Sequence, residues 1–189
     1  MPSIKRSAYI VLLMLTLALH ASCASSTAVQ SPQQDHDAFF DKLASLQGQS
    51  FPGRTLFMSE PDEAMLHSDL LMHVAKVEGD TMHVRFLVGD DTSRTWILTR
   101  TQNGLHLRHR HLYPDGTPHD LTNYGGWAAS GNPLSQSFPA DDLTKELLPQ
   151  ASTNVWTMKF DTNRQVFIYD LQRHARPRYR AEFDLSSPM

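Results

Sequence analysis

The run from Ser93 to Gly126, SRTWILTRTQNGLHLRHRHLYPDGTPHDLTNYGG, narrows the possible folds more than any other part of the chain. Asn103-Gly104 is a strong hairpin signal, because a two-residue type I′ turn needs positive φ at both central positions. Centring the turn there pairs Arg100 with Leu107, Leu98 with His109 and Trp96 with His111. Side chains alternate across a strand, so these six share one face with Arg94. Thr95, Ile97, Thr99, His106, Arg108 and Arg110 fall on the other face, which suits water better. The tryptophan face is therefore expected inside. Two arginines and two histidines among its apolar groups are unusual for a core, since buried ionisable side chains need partners.

The rest of the chain repeats the alternation. Thr55–Met58 reads as a short strand, followed by an irregular or helical connection over 60–68. Leu70–Val77 and Thr81–Val88 read as a hairpin around Gly79-Asp80, with Leu71, His73, Ala75 and Val77 opposite Val88, Phe86, Val84 and Met82. Short strands near Asp120–Tyr124 and Leu134–Phe138 flank a Gly/Asn/Pro-rich loop. Trp156, Met158 and Phe160 alternate and are answered by Phe167 and Tyr169, and Tyr179, Ala181, Phe183 and Leu185 alternate inward in the last strand. Two helices interrupt the pattern. Ser31-Pro32-Gln33-Gln34 is a capping box with proline at the first helical position, and Phe39, Phe40, Leu43 and Leu46 form a stripe ending before Gly48. A short helix over 140–148 puts Leu143 and Leu147 on one side. About ten antiparallel strands after one helix predict a mainly β domain, either a sandwich or an up-and-down barrel. The barrel of the lipocalin and fatty-acid-binding (calycin) type is preferred, because sequential hairpins close it without crossovers, with the amino-terminal helix as its cap.

The amino terminus reads as an export signal. Lys5 and Arg6 precede an apolar stretch from Ala8 to Leu19, too short to span a bilayer comfortably. Two processing readings stand. Ser22-Cys23-Ala24 suits an ordinary signal peptidase, and Ala21-Ser22-Cys23 resembles a lipobox, from which His20 departs. Cys23 is the chain's single cysteine and sits at the end of the apolar stretch, ahead of a Ser/Thr/Gln-rich segment. The lipoprotein reading is preferred: residues 1–23 as signal peptide, lipidation at Cys23, 24–34 as a flexible tether and 35–189 as one barrel domain. The expected location is the bacterial cell envelope, periplasm or outer membrane, with plain secretion as the alternative. Loss of the signal leaves 15 basic against 20 acidic residues, a net −5 with His neutral. Such a chain is a poor non-specific nucleic-acid partner. No cysteine beyond position 23 remains to form an internal disulfide.

Met72-His73-Val74, the SRTWILTRT run, Asp115-Gly116-Thr117, Tyr124-Gly125-Gly126, Thr153-Asn154-Val155-Trp156 and Phe183-Asp184-Leu185 resemble a group of small uncharacterised secreted or lipoprotein bacterial proteins. The resemblance covers residues 48–185 and transfers no activity. It implies cysteines where Gln47 and Val77 stand here, so that this chain would have lost one disulfide between the helix and a strand.

Candidate ligand-binding residues follow from the inward face: Arg94, Trp96, Leu98, Arg100, His109 and His111, with His73 approaching from the neighbouring hairpin. His109 and His111 lie about 7 Å apart at Cα on one strand face. That spacing could begin a zinc, copper or haem site, or simply make a polar wall of hydrogen-bonded imidazoles. No metal motif or assisting cysteine supports the first, so no cofactor is expected. Arg94 and Arg100 could fork a carboxylate or phosphate, or could sit at the two rims and pair with Asp90, Asp91 or Asp120. Asp35-His36-Asp37 is explained by the helix start, and no nucleophile or paired-carboxylate signature points to an enzyme. The Arg173–Arg180 run reads as a self-paired solvated face with Glu182 and Asp184. The expected function is binding of a small anionic or amphipathic ligand in the lumen. A packed barrel serving as an envelope interaction protein is the rival, and a metal- or haem-binding barrel or enzyme comes third.

Overall fold

The computed structural model describes residues 31–60 and 62–189. Among these, helix α1 (Pro32–Ala44) is followed by β1 (Ser50–Met58), α2 (Glu63–His67), β2 (Leu70–Glu78), β3 (Thr81–Val88), β4 (Asp91–Thr101) and β5 (Gly104–His111). After a loop come β6 (Tyr124–Trp127), β7 (Ser130–Asn132), β8 (Ser135–Pro139), α3 (Asp142–Leu147), β9 (Val155–Asp161), β10 (Val166–Arg173) and β11 (Arg176–Asp184). All eleven strands form one antiparallel sheet in the order β6-β5-β4-β3-β2-β1-β11-β10-β9-β8-β7. Nearly every strand pairs with its sequence neighbours, as successive hairpins require. The first and last strands pair with each other, so the free edges come from mid-chain, at β6 and β7.

Those edges approach without a ladder between them. Asp141 donates its backbone N–H to Gly125 O (3.1 Å), and the Thr144 hydroxyl accepts from Gly125 N (2.6 Å) and donates to Gly125 O (2.7 Å). Asp141 also caps α3 through Thr144 N and binds Arg108 of β5 (2.7 Å). The sheet thus curls into a barrel-like wall whose seam is joined by α3 rather than by strand pairing. Leu143 and Leu147, which share one side of this helix as its spacing indicates, are exposed. The Asp141 cap and the buried Thr144 turn the other side of the helix to the seam.

α1 begins as its sequence dictates, with Ser31 as N-cap and a complete capping box to Gln34. Residues 32–34 are therefore helical rather than tether. The signal peptide, Cys23 and residues 24–30 of the expected tether lie outside the described residues. Phe39, Phe40 and Leu43 are fully buried with Leu98, Leu105 and Leu107. Just beyond the Gln47 position the chain runs beside β2, where Gly48 N donates to Val74 O (2.7 Å).

Two registers differ from the sequence reading. The central turn closes on Gln102-Asn103, so that Leu98 faces Leu107, Trp96 faces His109 and Arg94 faces His111. Thr101 Oγ1 causes this by accepting from Asn103 N and donating to Gly104 O, which captures the turn one residue early. Gly104 alone carries the positive φ (+116°), under the His36 ring. The slip is two residues, so every side chain keeps its face. In the β2–β3 hairpin Val77 faces Met82 as expected, but an irregularity between Val74 and Lys76 shifts the rest by one. Met72 and Val74 point inward there, and His73 turns outward, bound to Ser50 Oγ and Gln49 O.

Candidate binding cavity

At the end of the barrel away from α1 the core gives way to a cavity of about 510 Å³. Its floor is aromatic. Trp96 lies 4.6 Å from Tyr169 and 5.0 Å from Phe86 between ring centroids, and Trp156 approaches His109 at 5.0 Å. β3, β4, β5, β9 and β10 supply these rings because each strand alternates large residues inward. The rim is cationic: Arg94, Arg173 and Arg178 line it with His111 and His119, opposed by Glu60 and Asp62.

His109 is buried, and both ring nitrogens are occupied. A backbone carbonyl only accepts, so the contact to Tyr124 O (3.2 Å) fixes the proton on Nδ1. Nε2 is then an acceptor, and the Tyr169 hydroxyl donates to it at 2.7 Å. Burial pushes the His109 pKa down to about 3 against the pull of that carbonyl. Burial also raises Tyr169 well above the phenol range. This is a neutral pair that holds the floor rigid; neither partner has the pKa of a general base or nucleophile at neutral pH. His111 sits above it, 3.1 Å from the Tyr124 hydroxyl, and burial followed by the Arg94 charge lowers it to about 4. Among the described residues, no three His, Cys, Asp or Glu side chains gather as a metal site.

The predicted site residues divide. Arg94, Trp96, His109 and His111 meet at the cavity. Leu98 is fully buried in the packed half, and His73 is on the outer face because of the shifted register. Arg100 lies at the opposite end, bound to Asp41 (2.8 Å) and Asp80 (3.1 Å), with its guanidinium 4.7 Å from the Phe40 ring centre. Arg94 pairs with Asp91. The two arginines are thus rim residues with acidic partners.

Arg173 is the residue that the sequence reading placed elsewhere. It continues the inward series Phe167, Tyr169, Leu171, and that parity was the available signal. Among the described residues it pairs with no carboxylate; its Nε donates to the Asn154 amide oxygen (2.8 Å). Burial, then the neighbouring Arg178, push its pKa down, against a smaller upward pull from Glu60. The remaining run finds varied partners: Arg178 binds Glu60 (2.5 Å), Arg180 binds Asp170 (2.6 Å), and Glu182 is held by Arg54 and Arg164. Comparison with known proteins adds no relative: no family model, curated protein or solved structure matches the chain.

Proposed function

We propose that the protein is an exported, lipid-anchored binding protein whose calycin-like barrel, capped by α1, takes a small amphipathic anion. One observation carries this reading: an aromatic cavity of about 510 Å³ opens beside Arg173, a guanidinium without a carboxylate partner among the described residues. An apolar tail would stack on Trp96, Trp156 and Phe86, and a carboxylate would take the unused donors of Arg173. The rival, a solid barrel acting through its surface, draws support from the filled half around Phe39, Leu98 and Leu107.

Dodecanoate is expected to change the fluorescence of Trp96 and Trp156 saturably, and dodecanol to bind far more weakly. Arg173→Gln should weaken dodecanoate about tenfold or more, since a charge-assisted hydrogen bond contributes about 1.5–3 kcal/mol. Equal affinity for acid and alcohol would remove Arg173 as an anion anchor, and no binding of either would favour the solid barrel.

The anchor rests on Cys23, the one cysteine, standing after the apolar stretch. Mass spectrometry of the cell-bound protein should find an acylated Cys23, and Cys23→Ser should release the protein or block processing. A mature chain beginning at Ser25 would end the anchor reading.

A further inference from the structure

A second groove, about 690 Å³, lies on the outer face of β3–β5 and is bordered by the loop after β5. Register puts Arg85, Thr95 and Arg110 in one row there, with Arg85 and Arg110 on strands either side of Thr95. The two Cα positions are about 10 Å apart across two strand spacings. Two arginine side chains leaning over a small threonine can close that span. Neither makes an ion pair among the described residues, whereas Arg54, Arg94, Arg100, Arg108, Arg164, Arg178 and Arg180 all do. Arg85 has only a long contact to Thr92 O (3.5 Å). Arg110 Nε is buried with no hydrogen-bond partner, which is costly for a cationic donor. The nearby acids do not relieve them. Asp91 is committed to Arg94 and to Ser93 N (2.8 Å), and Asp90 is exposed.

We infer that this outer groove is an anion site in which Arg85 and Arg110 fork one phosphate group over Thr95. A planar guanidinium presents paired N–H donors that match phosphate oxygens, so two forks saturate one tetrahedral dianion. In a chain of net negative charge an unpaired arginine pair at this spacing is better explained by a ligand than by stability. The site is separate from the aromatic cavity, although Thr95 and His119 border both.

The probe is inorganic phosphate against sodium chloride at matched ionic strength, with thermal unfolding and backbone amide shifts as readouts. Saturable stabilisation, with the largest shifts at Arg85, Thr95 and Arg110, is expected. Arg85→Gln and Arg110→Gln should each weaken phosphate about tenfold or more, while Arg173→Gln leaves it unchanged. Without phosphate, Arg110→Gln should melt no lower than wild type, since it removes a buried donor nitrogen that has no hydrogen-bond partner. Should that variant misfold, Arg85→Gln carries the test alone. Pelleting with phosphatidylcholine vesicles containing phosphatidic acid, lost in Arg85→Gln, would assign the phosphate to a lipid headgroup. Binding of phosphate without pelleting would assign it to a soluble ester. No saturable response to phosphate, or one that persists in both variants, would overturn the site.

Discussion

Gly126→Ala is expected to destabilise the protein by about 3 kcal/mol or more, at the top of the range for overpacking changes. A Cβ at position 126 would lie 1.7 Å from Pro139 O, 2.8 Å from Pro139 C and 3.3 Å from Asp141 N. These are backbone atoms and cannot swing aside as a side-chain tip can. To admit the methyl, β6 must withdraw from the end of β8, and that withdrawal breaks the bonds from Asp141 N and Thr144 Oγ1 to Gly125. The aromatic floor beneath would lose its support with them, because Tyr124 stacks on His109 (4.8 Å, 11°) from the same strand. Urea unfolding measures the loss, and near-ultraviolet circular dichroism of the tryptophans reports the floor. Gly116→Ala is the control, with open space around its Cβ and only a positive φ (+86°) to strain; it should cost about 1–2 kcal/mol. If the Gly126 variant unfolds at the same urea concentration as the control, the close seam is wrong.

The seam was not legible in the sequence, and the reason is physical. Pairing along a strand is written in alternation, and alternation survives even a wrong turn: the two-residue slip at Gln102-Asn103 left Trp96, Leu98, His109 and His111 on their predicted face. What alternation cannot show is a local break in it. The irregularity after Val74 costs one residue and sends His73 outward, although the hairpin turn beside it was read correctly. Nor can it show that a helix will close a sheet through hydrogen bonds. Leu143 and Leu147 give α3 an apolar side, yet the Asp141 cap and the Thr144 hydroxyl decide which side meets Gly125. Burial pushes the Asp141 carboxyl pKa up, but bonds from Arg108, Thr144 N–H and His106 outweigh it and hold it at about 2. Arg173 was missed for a different reason. Its charged neighbours Arg176, Arg178 and Arg180 suggest one solvated face, whereas parity assigns it to the inner series of Tyr169. The candidate site was thus half visible: its tryptophan, histidines and Arg94 were, its unpaired arginine was not.

Acidification below about pH 6.5 should cost this protein stability, and His109 should carry the largest part. In the unfolded chain the imidazole takes a proton near 6.5, whereas in the fold burial holds it neutral down to about 3. The unfolded state therefore binds the extra proton throughout that window, so stability is full above it and falls as pH drops through it. Between pH 7 and pH 5 one such histidine removes about 2 kcal/mol. His111, lowered to about 4 but partly open to solvent, adds a smaller amount of the same sign. The slope of unfolding free energy against pH near 5 should therefore exceed one proton taken up on unfolding, with His36, His83 and His106, also lowered by burial, adding in the same direction. His109→Gln keeps a donor and an acceptor but cannot titrate, so its slope should be lower by about one proton, whatever its own stability at pH 7. A wild type equally stable at pH 7 and pH 5, or a variant with undiminished slope, would rule out the buried neutral imidazole. The proton matters to the cavity as well as to the fold. Once protonated at Nε2, His109 can no longer accept from the Tyr169 hydroxyl, and the bond that fixes the aromatic floor is lost. In the folded protein that loss begins only near pH 3, well below the window in which stability falls. Between pH 7 and pH 5 the cavity floor therefore stays intact, and the Arg173→Gln variant should show the same stability profile as wild type.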